Sequence, residues 1–311
     1  MEEDAPAKRI KDLEREVMEL RGEAARLRTA LGGAVEEMLA RRGFAIYRKE
    51  RDRDVLRPDD NFREEFYSLM GRYSFRLFLR DAIKHRESFR PEGLSKFIGD
   101  EAAGGFGAFL VRAGLARETG DGNISLLRGQ VKNFGPTLEW FLAEVMRREL
   151  FASAVWGVSF RNRGGGTPGN RPVRDRSDGS ARSRSTGTGG GDYDLLAALE
   201  GRLLYAEVKS SPPRQIYETE IAAFIDRVFG LCPHLSLFVV DTELRMKDKI
   251  VFMFEQVLPK TPLSGTPVVR WKDELFRAGN GIFIVNSKGG LIRNIKEVIS
   301  AFLKETAWQA V

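Results

Sequence analysis

The stretch that decides the fold is GGGDYDLLAALEGRLLYAEVKSSPP, residues 189–213. Two apolar runs, DLLAAL and RLLYAEVK, flank Glu200-Gly201, the kind of two-residue link that closes an antiparallel hairpin. Near-continuous apolar runs mark strands covered on both faces. A charge buried in such a hairpin is costly unless something compensates it, yet Asp192, Asp194, Glu207 and Lys209 all sit there. With a two-residue turn, Leu199 faces Arg202, and the same register sets Asp194 opposite Glu207 and Asp192 opposite Lys209. Opposed residues share a face, as do residues two apart on one strand. The register therefore predicts one patch of four charged groups.

Opposed carboxylates destabilise a strand pair. They become favourable around a hard divalent cation, because Mg²⁺ is held by one or two carboxylates together with water and substrate phosphate oxygens. A lysine beside that cation supplies positive charge and donors for a phosphate or an attacking water. Such a set is what metal-assisted phosphodiester hydrolysis requires.

Asp194, thirteen positions before Glu207, with Val208 and Lys209 following, resembles the D…ExK signature of the restriction-endonuclease-like (PD-(D/E)XK) nuclease superfamily. The resemblance implies an α/β fold, a mixed sheet flanked by helices, and a nuclease domain over 135–311. It also implies that Asp194 and Glu207 bind Mg²⁺, or Mn²⁺ as a substitute, with help from the Val208 carbonyl, while Lys209 positions the nucleophilic water. The family's extra acidic residue on a preceding helix matches Glu139 in FGPTLEWFLAEVM, with Glu144 the lesser choice. Residues after the lysine often contact substrate in such enzymes, which points to Ser210, Ser211, Arg214 and Gln215. The activity implied is that of an endonuclease, acting on DNA in defence, repair or recombination.

Outward from the hairpin, residues 161–190 carry Arg161, Arg163, Arg171, Arg174, Arg176, Arg182 and Arg184 against Asp175 and Asp178, with no apolar periodicity. This Gly/Ser/Arg insertion is expected to be disordered. It reads either as a flap that grips phosphates, with strong salt dependence, or as a solvated low-complexity insertion. Upstream, residues 1–45 are assigned to a coiled coil on the heptad seam Ile10, Leu13, Val17, Leu20, Ala24, Leu27, Leu31 and Ala34. The seam predicts a homodimer through 10–34, whose two sites would suit cutting two strands. A charged connector is expected over 46–61.

Residues 62–130 resemble a winged helix: helices over 73–86, 91–99 and 101–114, then a hairpin around Gly120-Asp121-Gly122. The third helix offers Asp100 and Glu101 where a DNA reader would present basic or amide side chains, with only Arg112 near its end. The unit thus reads as a DNA contact or as a spacer and protein-contact surface, and the coiled coil is a second possible protein-partner site.

A net charge of +6 favours acidic partners without identifying nucleic acid. No apolar run approaches the roughly 20 residues of a spanning helix, and the opening MEEDAPAKRIKDLEREV is too charged for a signal peptide. The lone Cys232, with only His85 and His234 beside it in composition, excludes an intramolecular disulfide and a Cys/His zinc centre. The two histidines read as structural and the cysteine, with no base beside it in sequence, as inert; a cytoplasmic location is expected. Two rivals to the nuclease remain open: a non-catalytic nucleic-acid-binding module, and a scaffold that recruits a partner through the coiled coil or winged helix.

Overall fold

The computed structural model describes residues 35–49, 54–127, 131–162 and 191–308, with ten helical residues between Arg9 and Leu27. The helices are α1 (Val35–Arg41), α2 (Arg63–Met70), α3 (Tyr73–Lys84), α4 (Asp100–Arg112), α5 (Gly135–Glu149), α6 (Glu218–Leu231), α7 (Phe252–Val257) and α8 (Leu291–Trp308). The strands are β1 (Phe44–Lys49), β2 (Ala116–Gly120), β3 (Asn123–Leu126), β4 (Ser153–Asn162), β5 (Gly191–Leu199), β6 (Arg202–Lys209), β7 (Leu235–Val240), β8 (Val268–Lys272), β9 (Leu275–Ala278) and β10 (Ile282–Asn286).

Eight strands form one mixed sheet in the order β1-β4-β5-β6-β7-β10-β9-β8, parallel where β7 meets β6 and β10 and antiparallel elsewhere. The alternation of strands and helices after 135 thus builds the expected α/β sheet. One face is covered by α2–α5, α8 and the β2/β3 hairpin, the other by α1, α6 and α7. The β5/β6 register is the one the two-residue turn dictates: Leu199 pairs with Arg202 and Leu195 with Ala206. Glu200 and Gly201 both have positive φ, at 50° and 73°, as a tight hairpin turn requires.

The side-chain alternation slips by one midway along β4 and β5. Ala154 and Trp156 face the α5 side, whereas Val158 and Phe160 face the α6 side; Leu195 and Ala197 face the α5 side, whereas Tyr193 faces the α6 side. The slip falls at Gly157 and Asp194, the opposed pair missing from the β4/β5 ladder. Gly157 turns the chain with a φ of 53°, a conformation glycine adopts without steric cost.

Three expectations are corrected. Residues 46–61 are not simply a connector: β1 joins the sheet beside β4, Val55 and Leu56 are fully buried, and the Leu56 amide donates to Thr137 Oγ1 at 2.9 Å. Residues 91–99 form two turns rather than a helix, closed by Leu94 N to Pro91 O and Ile98 N to Ser95 O. Here the Pro91 ring lies against Gly107 of α4 so closely that a Cβ there would stand 2.5 Å away. Residues 62–130 enclose no core of their own among the described residues; Phe66 meets Trp140 at 5.8 Å between ring centroids and Tyr67 meets Phe141 at 5.5 Å, inside one continuous core.

The join between α3 and the sheet is ionic. Asp241, at the end of β7, accepts from Arg76 Nε at 2.9 Å, from Arg80 at 3.1 Å and from Ser287 Oγ at 2.7 Å. Arg76 and Asp241 are both fully buried, and the Arg76 guanidinium also donates to Ser287 Oγ and to the Met70 carbonyl.

Of the seam residues, Leu13, Val17, Leu20 and Leu27 are helical and 52%, 43%, 58% and 56% exposed. Ile10, Ala24, Leu31 and Ala34 lie outside the described residues, as do Arg163, Arg171, Arg174, Arg176, Arg182 and Arg184. No helix among the described residues is long and apolar enough to cross a membrane.

Candidate active site

Glu207 and Lys209 follow Tyr205 in alternation on β6, so their side chains leave the sheet on the α6 side. Glu207 is buried, and each of its oxygens has a partner. Lys209 Nζ lies 3.0 Å from Oε1; Arg227 Nη1 of α6 lies 2.8 Å from Oε2, and the Tyr205 hydroxyl also donates to Oε2. Lys209 is held from its other side by Glu220 Oε1 at 2.9 Å. Burial alone would lower the Lys209 ammonium; the charges and hydrogen bonds of Glu207 and Glu220 outweigh it and hold it above its ordinary value. Arg227 is raised in the same way, its burial overcome by Glu207 and Tyr205.

Asp194 stands at the strand slip, and its Oδ2 accepts from the Val208 amide at 2.7 Å. Burial pushes its carboxyl up to about 7 and the Glu207 charge adds to the rise, against the pull of the Val208 amide, Lys209 and Arg227. Asp194, Glu207 and Lys209 are thus one electrostatic group. The elevated value has a consequence for stability. Between about pH 4 and 7 the folded protein holds a proton that the unfolded chain releases, so stability falls as pH rises through that window. In EDTA, urea unfolding at pH 5 and pH 8 should show the wild type losing more stability across the interval than Asp194→Asn; equal losses would contradict the assignment.

Asp192 does not stand opposite Lys209. Because the alternation slips at Asp194, Asp192 points away from the Tyr193 face and accepts from the Ser159 hydroxyl of β4. Glu139 sits on α5, against the opposite face of the sheet from Glu207, and its carboxylate folds back toward Gly135. Glu144 is taken by Arg147 and Arg148. Arg161 is exposed where β4 pairs with Ala45 of β1. Ser210, Ser211, Arg214 and Gln215 line a groove between the loop after β6 and α3.

Sequence reading missed Tyr205, Glu220 and Arg227. The available signal was the spacing within IYETEIAAFIDRVFGL: Glu220 and Arg227 are seven apart, hence on one helix face.

Among the described residues, no group of three or more His, Cys, Asp or Glu side chains converges to hold a metal. Asp194 and Glu207 supply hard oxygens of the kind Mg²⁺ takes, with both Glu207 oxygens engaged by Lys209, Arg227 and Tyr205. Burial raises Asp194 most and the Glu207 charge adds to the rise; a bound cation would offset both.

Fold and site together define an α/β protein with a carboxylate–lysine cluster on its central hairpin. No family model and no curated protein matches the chain. Among solved structures, protein VC1899 from Vibrio cholerae aligns with a TM-score of 0.41 and 14% identity, over 71% of this chain and 55% of its own. Can2 from Sulfobacillus thermosulfidooxidans, solved in complex with cyclic tetra-adenylate, aligns with a TM-score of 0.36 and 14% identity, over 66% and 50%. The chain spans about half the length of these two proteins, and likenesses of this degree assign it no activity.

Proposed function

We propose that the protein is a divalent-cation-dependent nuclease of the restriction-endonuclease-like class, hydrolysing phosphodiester bonds of nucleic acid, with DNA as its substrate. The observation that carries the reading is the group of Asp194, Glu207 and Lys209 on the β5/β6 hairpin, in which Asp194 accepts from the Val208 amide and Glu207 pairs with Lys209. A cation bound by Asp194, Glu207 and the Val208 carbonyl would supply a Lewis acid and a route to an activated water. Arg227 and Tyr205 orient the Glu207 carboxylate, and Glu220 fixes the Lys209 ammonium where it could meet a phosphate oxygen or attacking water. Incubation with linear, nicked, branched and single-stranded DNA, and with RNA, with and without Mg²⁺ or Mn²⁺, tests it. Failure to cut any of these would end the enzyme reading.

A second reading draws on the completeness of the Glu207 ion pairs: a non-catalytic nucleic-acid-binding module in which the cluster only ties α6 to the sheet. It predicts nucleic-acid binding by a wild type that cuts nothing.

The exposed row Leu13, Val17, Leu20 and Leu27 supports pairing with a second copy of this chain. Sedimentation equilibrium should give a dimer for the wild type and a monomer for Leu13→Lys/Leu20→Lys; a wild-type monomer at micromolar concentration rejects the pairing.

A further inference from the structure

The groove reached by the loop after β6 holds about 1200 Å³, above the roughly 300–1,000 Å³ typical of small-molecule pockets. Its walls come from one face of α3, the turn at 94–97, residues 132–134 and the segment 210–215, which begins one residue after Lys209. The walls carry Arg80, Lys84, Lys96, Lys132 and Arg214 against Asp81 and Glu243. Arg80 is engaged by Asp241, but the other four cations pair with no carboxylate among the described residues. Phe97, in the turn closed by Ile98 N and Ser95 O, is 86% exposed, an aromatic that its own fold leaves almost wholly in water.

A basic channel with an exposed ring on its wall matches the way proteins hold unpaired strands: cations follow the backbone and a base stacks on the aromatic face. Paired bases keep their faces within the duplex stack, so an intact double helix offers Phe97 nothing to cover it. We infer that this groove seats a single-stranded polynucleotide, with Phe97 stacking one base and Lys96 and Lys132 contacting phosphates. The inference rests on the nuclease reading for its choice of a nucleic-acid ligand, while the binding it asserts is measured without cleavage.

Full-length protein in EDTA would be titrated into fluorescein-labelled 20-mers of single-stranded DNA, single-stranded RNA and duplex DNA, read by anisotropy. The wild type should prefer a single strand over the duplex, and the two single-strand arms report whether the sugar matters. Phe97→Ala should weaken single-strand binding about tenfold, within the range measured for one stacked base. Lys96→Ala/Lys132→Ala should reduce the slope of log Kd against log salt by about 1.4, the loss of two phosphate contacts on a single strand. All three side chains are exposed, so melting temperatures should match the wild type. Equal or tighter duplex binding by the wild type, or wild-type affinity in both variants, overturns the groove. If those variants bind normally while the wild type still cuts DNA, the groove fails and the nuclease stands; tight single-strand binding lost in the variants, with no cleavage under any cation, gives the reverse.

Discussion

Lys209→Ala should lower phosphodiester cleavage by about 10²–10³-fold, the loss that follows removal of one preorganised donor aimed at developing charge. The residue is well placed to act without also carrying the fold. Glu207 would keep Arg227 and the Tyr205 hydroxyl, so the buried carboxylate is not left alone, and a stability change of about 2 kcal/mol is expected for a lost charge-assisted contact. Lys209→Arg should not rescue, because a planar guanidinium cannot reproduce a compact ammonium seated between Glu207 and Glu220. Cleavage of end-labelled DNA in Mg²⁺, alongside thermal melting of each variant, makes the comparison. An alanine variant that melts near the wild type and cuts at the wild-type rate would remove Lys209 from the chemistry.

The largest stability effect should come from a residue with no place in the reaction. Asp241→Ala leaves the Arg76 guanidinium fully buried without its carboxylate, and takes from Arg80 its partner at 3.1 Å. Breaking a buried pair from one side costs about 3–5 kcal/mol, a large part of the roughly 5–15 kcal/mol that stabilises an ordinary domain. Ser287→Ala, which removes only the hydroxyl bridging Arg76 and Asp241, should cost about 1 kcal/mol. Urea unfolding of the three proteins decides it; an Asp241→Ala loss below about 1 kcal/mol would mean that water or rearrangement satisfies Arg76.

Much of this site was legible because one turn propagates a register. A two-residue link at Glu200-Gly201 sets the β5/β6 pairs from Leu199–Arg202 to Leu195–Ala206, and Asp194, next along the strand, accepts from the Val208 amide beside Glu207. What escaped depended on parts of the chain that a linear pattern does not connect. The face of Asp192 is decided by a slip shared with Gly157, on a strand that precedes it by more than thirty residues. The segment 91–99 starts like a helix, but Pro91 packs closely on Gly107 and the chain makes two turns instead. FAIYRK was hidden between charged runs, though its pairing with β4 makes it an edge strand of the sheet. The β8/β9 hairpin was passed over because VVRWK is only half-buried, at the far edge. Nor does periodicity reveal that the helices of 62–130 share one core with α5, since it reports which face is apolar and not what covers it.

The edge position of β1 also bears on how the chain is made. Ile46 pairs with Phe160, a partner translated more than a hundred residues later. At about 5–20 residues per second, a ribosome leaves that strand waiting for roughly 5–25 s. Throughout that interval Val35, Leu39 and Phe44, all buried once the sheet closes, have nothing to cover them. An unpaired strand beside a helix whose apolar side is not yet covered is a ready recipient for the β4 of another nascent chain. The protein is therefore most open to strand exchange during its own synthesis, and slow translation between residues 50 and 160 would raise the fraction that emerges entangled.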